Sequence, residues 1–187
     1  RVMNGIQFIF FTIGSLSGLF LIAGLTWSIL CPTKRIWPPS SVQPVTPTIA
    51  WGLTLAVFGA AIGLGIWDWG RISTLSWLRW IAGPVLILMG NLIAWRGAFG
   101  IGLKATSGIK DELVTTGLYR YSRNPQYVAD MGILVGFGLL FSSLWVWPVM
   151  TLGVTALVVA PFAEEPWLRD HYGAQYGKYC EGTRRFF

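Results

Sequence analysis

The sequence predicts an all-α integral membrane protein with five transmembrane helices, in a single membrane domain that spans residues 1–187. Its 187 residues are 53% hydrophobic and only 12% charged, whereas about a quarter of the residues in soluble domains are charged. The apolar residues form long runs, and the basic residues lie in the short segments between them. This distribution is typical of membrane topology, so the net charge of +6 does not indicate a nucleic-acid partner.

Each apolar run is assigned to one span by its length and its flanking residues. The first run is too long for a signal-peptide core and is interpreted as a retained span. A proline-rich loop separates it from the second run, whose glycines permit close approach of a neighbouring helix. Ser142, Ser143 and Pro148 indicate a tight turn, so spans four and five are predicted to form a helical hairpin. The predicted spans are 5–30, 48–67, 78–95, 126–144 and 146–162.

Two polar segments, at about 97–127 and 163–187, are the predicted functional parts of the chain. The first is too long for a simple connection between spans. With five spans and a cytoplasmic C-terminus, eleven of the 14 basic residues lie on the cytoplasmic side, all but Arg1, Arg71 and Arg79. This bias follows the positive-inside rule. We therefore expect both polar segments to face the cytoplasm and the N-terminus to lie on the opposite side.

Acidic residues near the predicted membrane surface are candidates for function. Glu164 and Glu165 follow span five directly, where adjacent carboxylates are costly unless they are paired or used. They can form an ion-pair cluster with Arg120, Arg123 or Arg184, or contact a ligand. Asp130 can be a helix-start charge, an arginine partner or a ligand contact. The two cysteines, Cys31 and Cys180, are predicted to be free, and no metal-binding spacing is present.

Two sequence blocks flank the predicted helical hairpin. The first is Tyr119-x-Tyr121-x-Arg123-Asn124-Pro125-x-Tyr127, preceded by Leu113-Val114-Thr115-x-Gly117. The second is Glu164-Glu165-x-x-Leu168, followed by Tyr172-Gly173-x-x-Tyr176-x-x-Tyr179. In this order, the two blocks resemble the isoprenylcysteine carboxyl methyltransferase family, most closely its short prokaryotic or archaeal members. The resemblance covers about residues 104–187.

The resemblance implies an integral membrane methyltransferase that uses S-adenosylmethionine, releases S-adenosylhomocysteine and lacks a Rossmann domain. Its cofactor pocket would be formed by the segment before span four and the C-terminal helix. By position, the cofactor-contacting residues are Lys104, Asp111, Glu112, Leu113, Val114, Tyr119, Asn124, Pro125, Gln126 and Tyr127, and Glu165 is close to the substrate. Asn124 replaces the usual histidine, and Pro161 occupies a place where eukaryotic members have an arginine expected to meet the substrate carboxylate.

The chemistry of a sulfonium cofactor suggests further contacts. Tyrosine faces and a carboxylate such as Glu164 can hold the sulfonium cation, which adds Tyr176 and Tyr179 to the candidates. The cofactor's carboxylate needs a donor such as Arg123 or Arg184, and Gly117 belongs to the first block. Glu165 is the candidate catalytic residue, and it would act as the base if the acceptor were an amine.

The first candidate activity is carboxyl O-methylation of a prenylcysteine-type lipid. The alternatives are a phospholipid N-methyltransferase, a sterol-reductase-like enzyme that uses NADPH, and a membrane scaffold without enzymatic activity. The expected partners are the lipid bilayer and a lipid-like substrate, and no obligate protein partner is evident from the sequence.

Overall fold

The computed structural model describes residues 2–39, 45–101 and 113–187, with only the helical backbone described for 98–101. These residues form helices and connecting turns, with no strand among them, which confirms that the protein is all-α. The six α-helices are α1 (Gly5–Leu30), α2 (Val45–Trp67), α3 (Gly83–Ile101), α4 (Pro125–Phe141), α5 (Val146–Tyr172) and α6 (Ala174–Gly182). A π-helical turn, Leu78–Ala82, leads directly into α3.

Within the described ranges, four stretches of helix are long and apolar enough to cross a membrane, which agrees with a multi-pass membrane protein. They are Gly5–Leu30, Val45–Trp67, Leu78–Gly97 and Val146–Tyr172. The remaining predicted span corresponds to α4, which is apolar but has only 17 residues. At 1.5 Å per residue it is about 26 Å long, slightly less than a bilayer core of about 30 Å. The predicted fourth span is therefore a short helix.

Helix α5 continues ten residues beyond the predicted end of the fifth span at 162. It runs unbroken to Tyr172 although Pro161 and Pro166 lie inside it. A proline removes one backbone hydrogen bond and crowds the preceding turn, but neighbouring helices can compensate for this loss. Consequently Glu164 and Glu165 lie on the last turns of a long helix and not in a separate tail. Only α6 and the residues after it form a distinct C-terminal segment.

The core lies where α1, α2, α4 and α5 meet. Val57 and Leu64 of α2 pack with Leu134 of α4 and Val149 of α5, and all four are almost fully buried. Two glycines of α2 make room for aromatic rings. A Cβ on Gly63 would lie 2.6 Å from a Phe10 ring atom, and one on Gly65 would lie 2.1 Å from a Phe141 ring atom. The glycine-rich face of α2 therefore packs against side chains from two neighbouring helices.

Helix α3 packs closely on α4 through small residues. A Cβ on Gly136 would lie 2.8 Å from the carbonyl oxygen of Gly83, so this crossing brings the two backbones together. Such contacts allow dispersion forces to hold helices together in lipid, where hydrophobic burial between helices contributes little. The close crossing fixes the orientation of α4 relative to α3, and therefore the position at which α4 begins.

The turn between α4 and α5 is tied to the end of α2. Ser142 ends α4 in the left-handed region with φ 48°, and its carbonyl oxygen accepts a hydrogen bond from the Ile72 amide at 2.9 Å. The Ser143 hydroxyl accepts from the amides at the start of α5 and donates to Asp68 at 2.7 Å. This end of the molecule lies opposite the end that contains Glu165.

Candidate functional site

The segment before α4 and the C-terminal residues meet at one end of the helices. The amide of Arg123 donates to the carbonyl oxygen of Arg184 at 2.9 Å. The side chains of Ser122 and Asn124 both donate to the carbonyl oxygen of Arg185, at 3.3 and 3.0 Å. These bonds cross about sixty residues of sequence and bring the two polar segments into direct contact.

Glu165 is the centre of a buried ion-pair cluster. Its Oε1 and Oε2 accept from Nε and Nη2 of Arg185, both at 2.7 Å, and Nη2 of Arg123 lies 3.0 Å from Oε1. The exposed fraction of the Glu165 side chain is 7% and that of Arg123 is 11%. Bidentate pairs of this kind are strong and directional. The ion-pair interpretation of Glu165 is therefore correct, with Arg185 as a partner where Arg184 was expected.

The Glu165 cluster retains positive charge and an unused donor. Two guanidinium groups and one carboxylate leave one net positive charge. The Nε atom of Arg123 is buried and lacks a hydrogen-bond partner among the described residues. A buried N–H without an acceptor is costly, and an anionic group on a ligand would remove that cost. The cluster is therefore suited to bind the carboxylate of an amino-acid-like molecule.

Three tyrosines surround the Glu165 cluster. The hydroxyl of Tyr179 donates to the carbonyl oxygen of Tyr119, which ties α6 to the 3₁₀ turn Gly117–Arg120. The rings of Tyr176 and Tyr179 meet edge to face at 6.1 Å. Burial raises the pKa of Tyr179 to about 12, and it raises the pKa values of Tyr119 and Tyr176 further. All three tyrosine side chains are therefore uncharged near neutral pH, and their hydroxyl groups remain hydrogen-bond donors.

Glu164 occupies a different environment from Glu165, although the two are adjacent. Its Oε1 accepts from Nε1 of Trp37 at 2.6 Å and from the hydroxyl of Tyr127. These bonds join the loop after α1, the first turn of α4 and the end of α5. They satisfy the Glu164 carboxylate with neutral donors, so it does not share in the guanidinium pairing of Glu165.

The other predicted site residues are distributed around this cluster. Gly117 adopts a positive φ of 62° at the start of the 3₁₀ turn, and Pro125 is the first residue of α4. Gln126 lies beside α3, close to Gly97. Leu113 and Val114 are half-buried in the extended stretch before the turn. Lys104, Asp111 and Glu112 lie outside the described residues.

Arg184 does not reach the cluster with its side chain. That side chain is exposed and directed toward the terminal Phe187 carbonyl, at 3.5 Å. Only the backbone of Arg184 takes part, through its bond with Arg123. Among the described residues, the Arg184 side chain therefore does not form the ion pair with Glu164 or Glu165, because a one-residue step along an extended tail turns a side chain to the opposite side. Its contact with the cofactor stays a prediction.

Sequence reasoning missed two residues of this region. Arg185 was overlooked because two adjacent arginines cannot be ranked without knowing which one faces inward. Trp37 lies in the loop after the first span, and tryptophans near span ends usually anchor a protein at the bilayer surface. Its contact with Glu164 spans 127 residues and leaves no local signal in the sequence.

One comparison with known proteins matches the part of the chain that contains Glu164 and Glu165. The sequence model described as Phospholipid methyltransferase matches residues 78–175, which include the segment before α4, Glu164 and Glu165. The nickel-cobalt-cadmium resistance protein NccN of Alcaligenes xylosoxydans xylosoxydans is 27% identical over 139 residues, which are 73% of this chain and 62% of that protein. The chain thus spans less than two thirds of the length of this relative. No solved structure matches the chain.

The family match covers the first polar segment and the start of the second. It includes more than half of the chain and both carboxylates at the end of α5. The chain belongs to the phospholipid methyltransferase family.

Proposed function

We propose that this protein transfers a methyl group from S-adenosylmethionine to a lipid-like acceptor at the end of the helices where the Glu165 cluster lies. The observation that carries the proposal is the junction of Arg123, Glu165 and Arg185. It brings the segment before α4 and the C-terminal tail to one buried point with a net positive charge and an unpaired N–H.

The residues of this cluster fit the amino-acid part of the proposed cofactor. Arg123 would bind its carboxylate through Nε, while Nη2 stays paired with Glu165. Glu165 would orient Arg123 and not act as a base, because both of its oxygens already accept from guanidinium groups. A carboxylate held by two cations is a weak proton acceptor. We therefore propose Glu165 as a positioning residue.

The chain's own residues would orient the cofactor and exclude water. When bound, S-adenosylmethionine supplies an electrophilic methyl group on a sulfonium centre. The neutral faces of Tyr119, Tyr176 and Tyr179 can stabilise a nearby cation. Their short contacts keep α6 closed over the 3₁₀ turn. Alignment of the acceptor in an enclosed site then supplies most of the catalysis.

The first candidate acceptor is the carboxylate of a prenylcysteine-type lipid, and the second is the amine of a phospholipid head group. The description of the matching family favours the second candidate. The two products differ chemically, because a methyl ester releases methanol in alkali and an N-methyl group does not.

The proposal is tested with purified protein in nanodiscs and methyl-labelled S-adenosylmethionine. We expect saturable binding of the cofactor, no saturable binding of NADPH, and transfer of label to a prenylcysteine or to phosphatidylethanolamine. Alkaline hydrolysis of the labelled lipid then assigns the acceptor atom. Saturable NADPH binding would support a reductase instead, and saturable binding of neither nucleotide would support a scaffold.

A further inference from the structure

A cavity of about 240 Å³ lies among α1, α2, α4 and α5, next to the site described above. Its walls are mostly aliphatic and aromatic. Four of the lining residues, Phe20, Ile36, Ile49 and Trp51, are also exposed on the outer surface. In a bilayer, apolar side chains exposed on membrane-spanning helices contact lipid, so a molecule dissolved in the bilayer can reach the cavity between them.

Among the described residues that line the cavity, Asp130 is the one that carries a charge. It is the sixth residue of α4, beyond the first turn where a helix dipole stabilises an acid. In the described part of the chain, Asp130 takes part in none of the ion pairs or hydrogen bonds. An ionisable side chain within a membrane domain is rare and costly without a partner. A positively charged group or a hydrogen-bond donor that enters the cavity would therefore stabilise the Asp130 carboxylate.

The end of the cavity near Asp130 also contains two fixed aromatic rings. Trp37 and Tyr127 line the cavity, and both donate hydrogen bonds to Glu164. These bonds satisfy Glu164 and hold the rings in place. Tryptophan and tyrosine faces attract ammonium groups. The lone carboxylate and the two rings therefore favour a cationic head group at this end.

The size of the cavity limits the apolar part of the occupant. A dry apolar cavity of about 150 Å³ holds one benzene molecule, so 240 Å³ has room for a small head group with an alkyl segment of roughly eight to ten carbon atoms. A longer chain could extend past Phe20 and Ile49 into the bilayer.

We propose that this cavity binds a primary-amine amphiphile from the bilayer and that Asp130 determines its specificity by pairing with the ammonium group. A carboxylate head group is disfavoured, because it would place a second negative charge beside Asp130 without a cation to offset it. That this amphiphile is the methyl acceptor rests on the proposed function. The binding itself does not.

Binding is tested with the full chain in phosphatidylcholine nanodiscs and three radiolabelled probes: decylamine, decanol and decanoic acid. Empty nanodiscs correct for partitioning into lipid. We expect saturable binding of about one decylamine per protein, at least ten-fold weaker binding of decanol, and the weakest binding of decanoic acid. Equal or tighter binding of decanoic acid would overturn the proposal.

Matched variants locate the binding. Asp130→Asn keeps the side-chain shape and should weaken decylamine binding at least ten-fold. Asp170→Asn makes the same charge change on an exposed part of α5 and should leave decylamine binding unchanged. Gly24 lines the cavity, and a Cβ there meets nothing within 4 Å. Gly24→Phe should therefore weaken the binding of all three probes. Unchanged decylamine affinity in Asp130→Asn would contradict the site.

Stability and turnover measurements separate this inference from its alternatives. Ligand-free Asp130→Asn should melt at the same temperature as the native protein or higher, because an unpaired charge is removed. A clear decrease would show that the carboxylate is already paired within the chain, which would refute its role in ligand binding. If methyl transfer occurs, decylamine should compete with the lipid acceptor and not with S-adenosylmethionine. Absence of methyl transfer would refute the proposed function and leave the binding result intact.

Discussion

Asp68 and Glu165 are two buried carboxylates at opposite ends of the same helices, and their surroundings differ. The exposed fraction of each side chain is 7%. Asp68 accepts from Ser143 at 2.7 Å and from Gln7 at 3.4 Å, and its only ion-pair partner in the described residues, Arg71, is 45% exposed. Glu165 is held by two arginines, one of them almost fully buried.

The comparison shows that burial alone does not distinguish a structural carboxylate from a functional one. The charges of Asp68 and Arg71 cancel, and the closest contact to the Asp68 carboxylate comes from an uncharged donor. This cluster therefore has no net charge that a ligand could offset. The Glu165 cluster has a net positive charge and a buried N–H without a described acceptor. A ligand would complete the second cluster but has nothing to add to the first.

The largest effect is expected from Glu165→Gln. It leaves two arginines beside each other without their shared carboxylate, and breaking a buried ion pair costs about 3–5 kcal/mol. Thermal unfolding in nanodiscs should show this loss, and cofactor binding should fall with it. The exposed Glu181→Gln is the matched control. A stable Glu165→Gln protein with full activity would show that the cluster is dispensable.

A smaller effect is expected from Asp68→Asn. The amide can still accept from Ser143, so the loss is that of a charge-assisted hydrogen bond, about 1–3 kcal/mol. Binding of S-adenosylmethionine should not change, because the site lies at the other end of the helices. Isothermal titration would check this. Weakened cofactor binding at unchanged melting temperature would contradict the contrast between the two clusters.

The smallest change in stability is expected from Arg123→Lys. Lysine keeps the positive charge, and Arg185 still holds Glu165 through two hydrogen bonds, so the free energy of unfolding should fall less than in Glu165→Gln. The planar Nε donor is lost, and we expect about ten-fold weaker binding of S-adenosylmethionine. Arg120→Lys, on the exposed side of the same segment, is the control and should bind normally. Equal affinities of Arg123→Lys and the native protein for S-adenosylmethionine would show that Arg123 does not bind the cofactor.

Much of the fold could be predicted from the sequence because hydrophobic length is a local property. Runs of apolar residues gave the helices of the bundle, and proline and serine positions located the turns. The boundary of α5 was wrong because polar residues after Phe162 suggested a tail, whereas the helix passes through two prolines to Tyr172. Packing partners decide whether a proline ends a helix, and the sequence does not name them.

The sequence by itself determined that two polar blocks exist and which residue types they contain. The apolar spans require lipid, and the blocks place arginines, tyrosines and carboxylates at the ends of the spans. Only the tertiary structure decided how these residues pair. In the folded protein, Glu165 forms ion pairs with Arg123 and Arg185. Glu164 accepts hydrogen bonds from Trp37 and Tyr127, and Asp130 lies on the wall of a cavity. Adjacent residues on a helix point in directions about 100° apart, so neighbours in sequence acquire different partners and different roles.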